Sequence, residues 1–206
     1  MLTNLGSINL SRPIQGRNPS KLRSDEMRNK ITTLFLLSTV LVAAPVNARD
    51  VGAWNTAGNV GRDALVGFAL GLPAVRGDWE GDLQAAGSIG SAFLATEALK
   101  RAFPETRPDV SDRKSFPSGH TSSAFAAAAT IQNRYGWKFG VPAQFVAAFV
   151  GLSRVEARKH HWYDVVVGAG IGEAAGFLIT SKRTSDVRVL PWGGTHGGGA
   201  AVALKF

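Results

Sequence analysis

Four glycines, at positions 168, 170, 172 and 176, lie within one apolar segment near the end of the chain. A phosphate-binding glycine loop follows a strand, and no strand-like pattern precedes this segment. Small residues at helical spacing instead allow a neighbouring helix to pack very closely. We therefore predict a helix from Val165 to about Thr180, capped by Asp164, in close contact with another helix.

Four other segments have the composition of helices, and capping or helix-breaking residues mark their ends. The predicted helices cover residues 64–72, 82 to about 103, 121 to about 134 and 143 to about 154. Asp63 caps the first helix and Pro73 ends it, Asp82 opens the second, and Pro142 lies near the start of the fourth. Residues 51–61 are rich in Gly and Asn, and residues 104–116 contain Pro and several charges, so both stretches are predicted to be loops.

The last part of the chain has a different pattern. Residues 186–190 and 201–206 alternate in side-chain type with glycines between them, which predicts a short β-hairpin. A Gly-rich tail is the alternative, and His196 in the turn is expected to be exposed and without function. The predicted fold class is therefore all-α, a compact helical bundle with a short C-terminal hairpin.

The first 48 residues are predicted to precede the mature protein. Residues 1–26 are polar and are interpreted as a non-native upstream extension, with Met27 as the true start. Residues 27–48 have a basic beginning, an apolar run and small residues before a cleavage point after Ala48, which is typical of a signal peptide. We expect residues 49–185 to form the helical domain of an exported, periplasmic protein. An uncleaved N-terminal anchor is the alternative.

Composition restricts the chemistry that the chain can perform. It contains no cysteine, which excludes disulfides, Cys-ligated zinc and thiol catalysis, and it contains four histidines. No His-Glu-x-x-His pair or Asp-rich calcium loop is present, so no metal or other cofactor is expected. The net charge is +8, and it falls to +4 when residues 1–48, with six Lys/Arg and two Asp/Glu, are left out. This mildly basic balance suits an anionic substrate or an anionic membrane surface. Nucleic acid is not an expected partner, because no basic run is interleaved with aromatic residues.

The apolar segments of residues 49–185 are weak candidates for membrane spans, each of which needs roughly 20 mostly apolar residues. Residues 83–96 contain several polar side chains, residues 139–153 form a short segment, and the last helix carries Glu173. We expect a protein that is soluble or peripherally attached to a membrane. A small multi-pass protein whose polar groups face each other is the alternative.

Residues suited to binding a phosphate are concentrated between Lys100 and Asp164. Lys100 and Arg154 end apolar helices and Arg107 is followed by Pro108, so the three cations can project toward a common face. Arginine forks and a lysine ammonium group match the oxygens of a phosphate. Taken singly, each of these cations would be an ordinary surface charge.

A Ser-Gly-His sequence opens the third predicted helix. Ser118 or Gly119 begins this helix, whose free N–H groups and dipole favour an anion, and Gly119 lets the backbone approach a ligand. An ordinary serine N-cap is the alternative explanation. His120, at the mouth of the helix, can give a proton to a leaving oxygen near neutral pH.

His160 and Asp164 are four residues apart, which in a helical or near-helical turn places them on one face and within reach of each other. A carboxylate bound to one imidazole nitrogen fixes the tautomer and leaves the other nitrogen as a nucleophile. His161 is the alternative partner of Asp164, but its spacing of three residues favours a position to the side.

Together these residues resemble the three motifs of the type 2 phosphatidic acid phosphatase and vanadium haloperoxidase superfamily. The sequence contains Lys100-x6-Arg107-Pro108, then Pro117-Ser118-Gly119-His120, then Ser153-Arg154-x5-His160-x3-Asp164, in the family's order and without substitution. The motifs span about a third of the chain. Eight residues separate Pro108 from Pro117, which is short for the family and leaves little room for a lid over the site.

The resemblance implies a helical bundle of the acid phosphatase and vanadium-dependent haloperoxidase type, with metal-independent phosphatase activity. It implies that His160 is the nucleophile that forms a phosphohistidine and that Asp164 orients it. His120 would protonate the leaving alcohol and then help to activate water. Five residues would hold the phosphoryl oxygens: Lys100, Arg107, Ser118, Gly119 and Arg154.

The sequence leaves the function partly open. A vanadate-dependent haloperoxidase would use the same anion pocket, although such enzymes are usually far larger, and a non-catalytic anion- or membrane-binding protein would not need a complete catalytic set. A phosphorylated lipid and a small soluble phosphate ester are both candidate substrates. Four aromatic residues flank the motifs, and we expect them to fill the core rather than to contact an acyl chain: Phe116, Phe125, Trp162 and Tyr163.

Overall fold

The computed structural model describes residues 50–183, 187–194 and 197–204. The predicted upstream extension, the predicted signal peptide and His196 lie outside these residues. The helices are α1 (Val51–Val75), α2 (Trp79–Ala102), α3 (Gly119–Tyr135), α4 (Trp137–Glu156) and α5 (Trp162–Ile179), and the strands are β1 (Val187–Gly194) and β2 (Gly197–Leu204). The strands pair antiparallel, with Val187 opposite Leu204. The all-α class and the C-terminal hairpin are therefore confirmed.

Helix α3 is the centre of the bundle and packs against the four other helices. Its inward faces consist largely of alanine, and Ala124, Ala127 and Ala128 are fully buried. Short side chains allow the neighbouring helices to approach, and larger residues fill the space that remains towards α1 and α4. These larger core residues are Leu65, Ile131, Val146 and Val150.

Helix α5 contacts the backbone of α3 directly through three of its glycines. A Cβ atom at Gly172 would lie 2.4 Å from the carbonyl oxygen of Ser122 in α3. Gly168 and Gly176 lie one turn before and one turn after it on the same buried face. The predicted close packing is confirmed for these three positions, whereas Gly170 faces open space.

Helix α1 differs most from the prediction. It begins at Val51 behind the N-cap Asp50, so residues 51–61 are helical and not a loop, and Pro73 lies inside the last turn instead of ending the helix. Asp63 is therefore not a cap. Glycine and asparagine have low helix propensity, but here they contact α4: a Cβ atom at Gly58 would lie 1.9 Å from Ser153 Oγ.

Three other helices begin earlier than predicted. The N-cap of α2 is Asp78, whose side chain accepts a hydrogen bond from Gly81, and not Asp82. Helix α4 begins directly after Gly136, whose positive φ of 86° ends α3, so that Pro142 lies inside α4. The N-cap of α5 is His161, and Asp164 occupies the third helical position, where it completes a capping box.

Among the helices of the described residues, α5 has the length and apolar composition that a membrane span requires. The sequence-based expectation gave no clean candidate, because Glu173 lies in this segment. Core helices of globular proteins meet the same criterion, so the observation concerns length and composition alone.

Candidate active site

The three motifs meet at one end of the bundle. Lys100 lies in the last turn of α2 and Arg154 in the last turn of α4. His120 lies in the first turn of α3 and Asp164 in the first turn of α5, while His160 lies in the loop just before α5. Helix ends therefore supply most of the predicted site residues, and α3 brings these ends together.

The imidazole of His160 is buried and is held mainly by a backbone carbonyl. Its Nδ1 atom lies 2.7 Å from the carbonyl oxygen of Ser115 and 3.5 Å from Asp164 Oδ2. A carbonyl oxygen can only accept, so Nδ1 carries the proton and the lone pair of Nε2 is free. The predicted proximity of His160 and Asp164 is confirmed, but the shorter contact is with the carbonyl.

Asp164 is fully buried and joins the starts of α3 and α5. Its Oδ2 atom accepts hydrogen bonds from Ser115 Oγ at 2.5 Å and from the backbone N–H of His161 at 2.9 Å. Its backbone carbonyl accepts from the N–H of Ser118 at 3.0 Å. Asp164 therefore fixes the position of the loop that carries the Ser-Gly-His sequence as well as lying beside His160.

His161 is as close to Asp164 as His160 is, since its Nδ1 atom also lies 3.5 Å from Asp164 Oδ2, so this distance does not distinguish the two histidines in the way that the spacing predicts. The ring of His161 stacks on Tyr163 with 5.0 Å between centroids, and the hydroxyl of Tyr163 donates to Glu105. Glu105, His161 and Asp164 each bring one ligand atom to within 4.8 Å of the others, the one such cluster within the described part of the chain. Asp164 Oδ2 in this cluster already accepts two hydrogen bonds.

Burial and positive charge keep both candidate catalytic histidines neutral. Burial lowers the pKa of His160, its contact with Asp164 opposes this, and Arg107 and Lys100 lower the pKa further. For His120, burial and then the charges of Arg154, Arg62, His160 and Arg107 lower the pKa to about 3. The arginine and lysine charges that act on the two histidines come from α1, α2, α4 and the loop after α2.

Lys100 is directed at the loop before α3. Its ammonium group donates to the carbonyl oxygens of Lys114 at 2.8 Å and of Pro117 at 2.5 Å, and it lies 3.5 Å from that of Ser115. Burial lowers its pKa, and the charge of Arg107 lowers it further. Lys100 thus anchors the loop and contributes a positive charge beside His160.

The two predicted phosphate-binding arginines are held differently. The guanidinium of Arg107 donates from Nε to Asp112 at 2.7 Å and remains partly exposed. Arg154 is almost fully buried, and it donates to the side-chain oxygens of Asn55 at 3.1 Å and Asn59 at 3.3 Å. Burial, followed by the charges of Arg62 and Arg107, lowers the pKa of Arg154 to about 10, so it stays charged at neutral pH.

Helix α1 adds residues that sequence reasoning missed. Asn55, Asn59 and Arg62 are spaced by four and three residues, which places them on one helical face towards Arg154. The spacing is a recognisable signal on an apolar helix. It was obscured because the composition of residues 51–61 indicates a loop.

Ser118 and Gly119 form the start of α3. The side chain of Ser118 is the N-cap, and its hydroxyl lies 3.5 Å from the N–H of Thr121 and 2.8 Å from the Thr121 hydroxyl. A Cβ atom at Gly119 would meet Thr96 and Lys100 at ordinary contact distances, so packing does not require glycine there. The N–H groups of this first turn lack helical partners and point out of the helix start.

An apolar groove of about 700 Å³ opens beside the site, between the end of α2, the following loop and α5. Leu99, Phe103, Phe116 and Val167 are among its lining residues. Of the four flanking aromatic residues, Phe125 packs against the core as expected. The expectation is wrong for Phe116, which lines the groove, and for Trp162, which is 69% exposed.

Comparisons with known proteins identify the family of the chain. A family model described as the PAP2 superfamily matches residues 82–187, just over half of the chain. The chain is 35% identical over 103 residues to the lipid A 1-phosphatase of Porphyromonas gingivalis, covering 48% of this chain and 23% of that protein. It is 37% identical over 76 residues to the lipid A 4'-phosphatase of Helicobacter pylori, covering 37% and 38%. It is 31% identical over 128 residues to a decaprenylphosphoryl-5-phosphoribose phosphatase of Mycobacterium tuberculosis, covering 57% and 68%.

Two solved structures share the fold. Aquifex aeolicus LpxE has a TM-score of 0.56 at 24% identity, with 71% of this chain and 92% of that chain covered. A transmembrane PAP2-type phosphatidylglycerolphosphate phosphatase from Bacillus subtilis has a TM-score of 0.52 at 23% identity, with 79% and 86% covered. The chain belongs to the PAP2 superfamily. It spans less than half the length of the two lipid A phosphatases.

Proposed function

We propose that the chain is a metal-independent phosphatase that hydrolyses the phosphate monoester of a lipid through a phosphohistidine intermediate. The observation that carries this proposal is the state of His160. Its Nδ1 atom is occupied by the Ser115 carbonyl at 2.7 Å, its pKa is lowered, and cations surround it. A neutral imidazole with a free Nε2 among cations suits attack on a bound phosphate.

In the first step, Nε2 of His160 attacks the phosphorus atom. The N–P bond forms as the bond from phosphorus to the ester oxygen breaks, and protonated His120 gives its proton to the leaving alkoxide. In the second step, neutral His120 takes a proton from water as the water oxygen bonds to phosphorus and the N–P bond breaks. Inorganic phosphate leaves, and both histidines return to their starting states.

His120 must be protonated for the first step, although its pKa in the unliganded site is about 3. A phosphate monoester carries up to two negative charges, which oppose the positive charges around His120 and raise its pKa. Substrate binding therefore favours protonation of His120. Arg107, Arg154 and the N–H group of Gly119 hold the phosphoryl oxygens in this proposal, with the charge of Lys100 alongside. The N–H of Ser118 donates to the Asp164 carbonyl, so Ser118 contributes by fixing the start of α3.

Three observations support a lipid as the substrate and a membrane as the place of action. The apolar groove adjoins the site. The names of the relatives given above describe them as phosphatases of phosphorylated lipids. Large apolar side chains on α2, α4 and α5 are more than 40% exposed: Phe93, Leu94, Phe145, Leu152, Val166 and Leu178. We propose a membrane-associated enzyme, and the signal-peptide pattern of residues 27–48 supports a periplasmic location.

The test uses the purified full chain in detergent, with phosphatidic acid, a lipid A phosphate and p-nitrophenyl phosphate as substrates. We expect phosphate release from at least one lipid, undiminished by EDTA. His160→Ala should lower the rate at least about a thousandfold, because removal of a nucleophile leaves only binding and electrostatic effects. Brief incubation with ³²P-labelled substrate should label the protein in an acid-labile, base-stable form.

His196→Ala is the matched control, since the sequence gives this histidine no role, and it should retain full activity. Full activity in His160→Ala, or loss of activity with EDTA that added metal restores, would contradict the proposal. Bromide oxidation by vanadate and peroxide without any phosphate release would favour the haloperoxidase alternative.

A further inference from the structure

Ser115 contacts both His160 and Asp164, although it belongs to none of the three motifs. Its carbonyl oxygen lies 2.7 Å from Nδ1 of His160, and its hydroxyl donates to Asp164 Oδ2 at 2.5 Å. The residue is fully buried. One residue therefore offers an acceptor to the ring and a donor to the carboxylate.

The motif spacing assigns the orientation and tautomer of the His160 ring to Asp164 alone, whereas the structure divides these roles between Asp164 and Ser115. At 3.5 Å, the carboxylate oxygen is too far from Nδ1 for a strong hydrogen bond, whereas the carbonyl lies at an ordinary bonding distance. A carbonyl cannot donate, so this contact by itself places the proton on Nδ1. The hydroxyl of Ser115 meanwhile holds the carboxylate beside the ring, where its negative charge stabilises a positively charged imidazole.

Ser115 is itself held from two sides. Its N–H donates to the carbonyl of Glu105 at 2.9 Å. Lys100 donates to the neighbouring carbonyl of Lys114 at 2.8 Å and to that of Pro117, which follows Phe116. The loop around Ser115 is thus fixed to the end of α2, and small displacements of the carbonyl are restrained.

We propose that Ser115 is a positioning residue for the nucleophile: its carbonyl fixes the tautomer of His160, and its hydroxyl fixes the carboxylate of Asp164. The role rests on the proposed function of His160. Asp164 then acts on the charge that develops during phosphoryl transfer and is not required to set the tautomer.

The test measures the tautomer directly and separately from activity. ¹⁵N-histidine NMR of the full chain in detergent should show the His160 ring neutral at pH 7 with its proton on Nδ1, assigned through loss of the signal in His160→Ala. Because the backbone carbonyl survives substitution, the same tautomer should persist in Ser115→Ala and in Asp164→Ala.

Kinetics test the hydroxyl. Ser115→Ala should lower kcat about tenfold, as expected for loss of one hydrogen bond to a charged group, with KM changed by less than about twofold. Ser111→Ala removes a similar hydrogen bond, from Ser111 Oγ to Asp109 at 2.7 Å in the same loop, and should leave kcat unchanged.

A proton on Nε2 in the wild-type chain, a change of tautomer in Asp164→Ala, or an unchanged kcat in Ser115→Ala would each overturn the role of Ser115. Failure of the chain to release phosphate from any ester would instead contradict the proposed function. In that case the tautomer of His160 would still show whether the Ser115 carbonyl or the Asp164 carboxylate holds the ring.

Discussion

His120 shows how strongly a single side chain depends on its neighbours. Its position at the start of α3 is evident from the Ser-Gly-His sequence, but its state is set by residues from other elements. Arg154 comes from α4, Arg107 from the loop after α2, and Arg62 from α1. Because these charges and burial keep His120 neutral in the unliganded site, the proposed acid would become available only when an anion offsets them.

Anion binding by the site should therefore take up a proton. The pKa of His120 is about 3 without a ligand and higher with one, so the protonated form binds the anion more tightly and affinity must rise as pH falls between the two values. Sulfate is a suitable probe because its charge is constant from about pH 4 to pH 8. We expect competitive inhibition by sulfate to strengthen by up to about tenfold per pH unit in this range.

His120→Gln is the matched variant for this measurement. It keeps a polar side chain but cannot be protonated, so its sulfate inhibition should lose most of the pH dependence. An identical pH dependence in the variant and the wild-type chain would show that another group takes up the proton.

At this scale the motif residues were predictable and their partners were not. The candidate catalytic residues and the candidate phosphate-binding cations belong to fixed spacings that have a chemical reason. The carbonyl that holds His160 carries no side-chain signal, since every residue has one. Asn55 and Asn59, which hold Arg154, lie about a hundred positions away in the chain, and no local pattern links them to it.

At the scale of elements, α1 and α5 show opposite relations between sequence and structure. Helix α5 is apolar and rich in glycine at helical spacing, and the predicted close contact with a neighbouring helix is present, that helix being α3. Helix α1 begins with a Gly- and Asn-rich stretch that favours a loop, yet contacts of Gly58 and the two asparagines with α4 make it helical. Tertiary contacts outweigh local propensity there, and a single sequence does not reveal them.

The glycines of α5 allow a direct test of this packing. Gly172→Ala places a Cβ atom 2.4 Å from the Ser122 carbonyl, so the helices must separate, at a cost of about 1–3 kcal/mol. Gly170→Ala has nothing within 4 Å and should be neutral or stabilise α5 by up to ~1 kcal/mol through helix propensity. We expect a lower Tm for Gly172→Ala only, as measured by thermal unfolding in detergent followed by circular dichroism. Equal Tm values for both would contradict the observed packing.

At the scale of the whole molecule, the candidate site lies at one end of the bundle and a buried network around Arg134 lies at the other. Helix α3 runs from the site at Ser118 to Arg134, about 24 Å away at the rise of an α-helix. There the buried guanidinium of Arg134 donates to Asp78 at 2.7 Å and to Gln84 at 3.0 Å. Tyr135 also donates to Asp78, at 3.0 Å. This network joins the start of α2 to the end of α3.

Asp78→Asn should destabilise the fold without changing the chemistry. The substitution removes the nearer of two counter-charges of the buried Arg134, since Glu80 remains 3.7 Å away, and we expect a cost of up to about 3 kcal/mol. We expect a lower Tm but an unchanged kcat per folded molecule, because the network is far from His160. Asp63→Asn, which breaks the exposed pair with Arg62, is the stability control and should cost less than about 1 kcal/mol. A Tm equal to that of the wild-type chain would contradict a structural role for Asp78.

The contact between the starts of α3 and α5 has a consequence for how a reaction would begin. The N–H of Ser118 is bonded to the Asp164 carbonyl, and the Ser118 carbonyl lies directly over Gly168, so the two helix starts form one rigid body. The groups that would attack a phosphorus atom and release its alcohol are carried on that body. We therefore expect folding itself to set the separation of these two groups before an ester arrives.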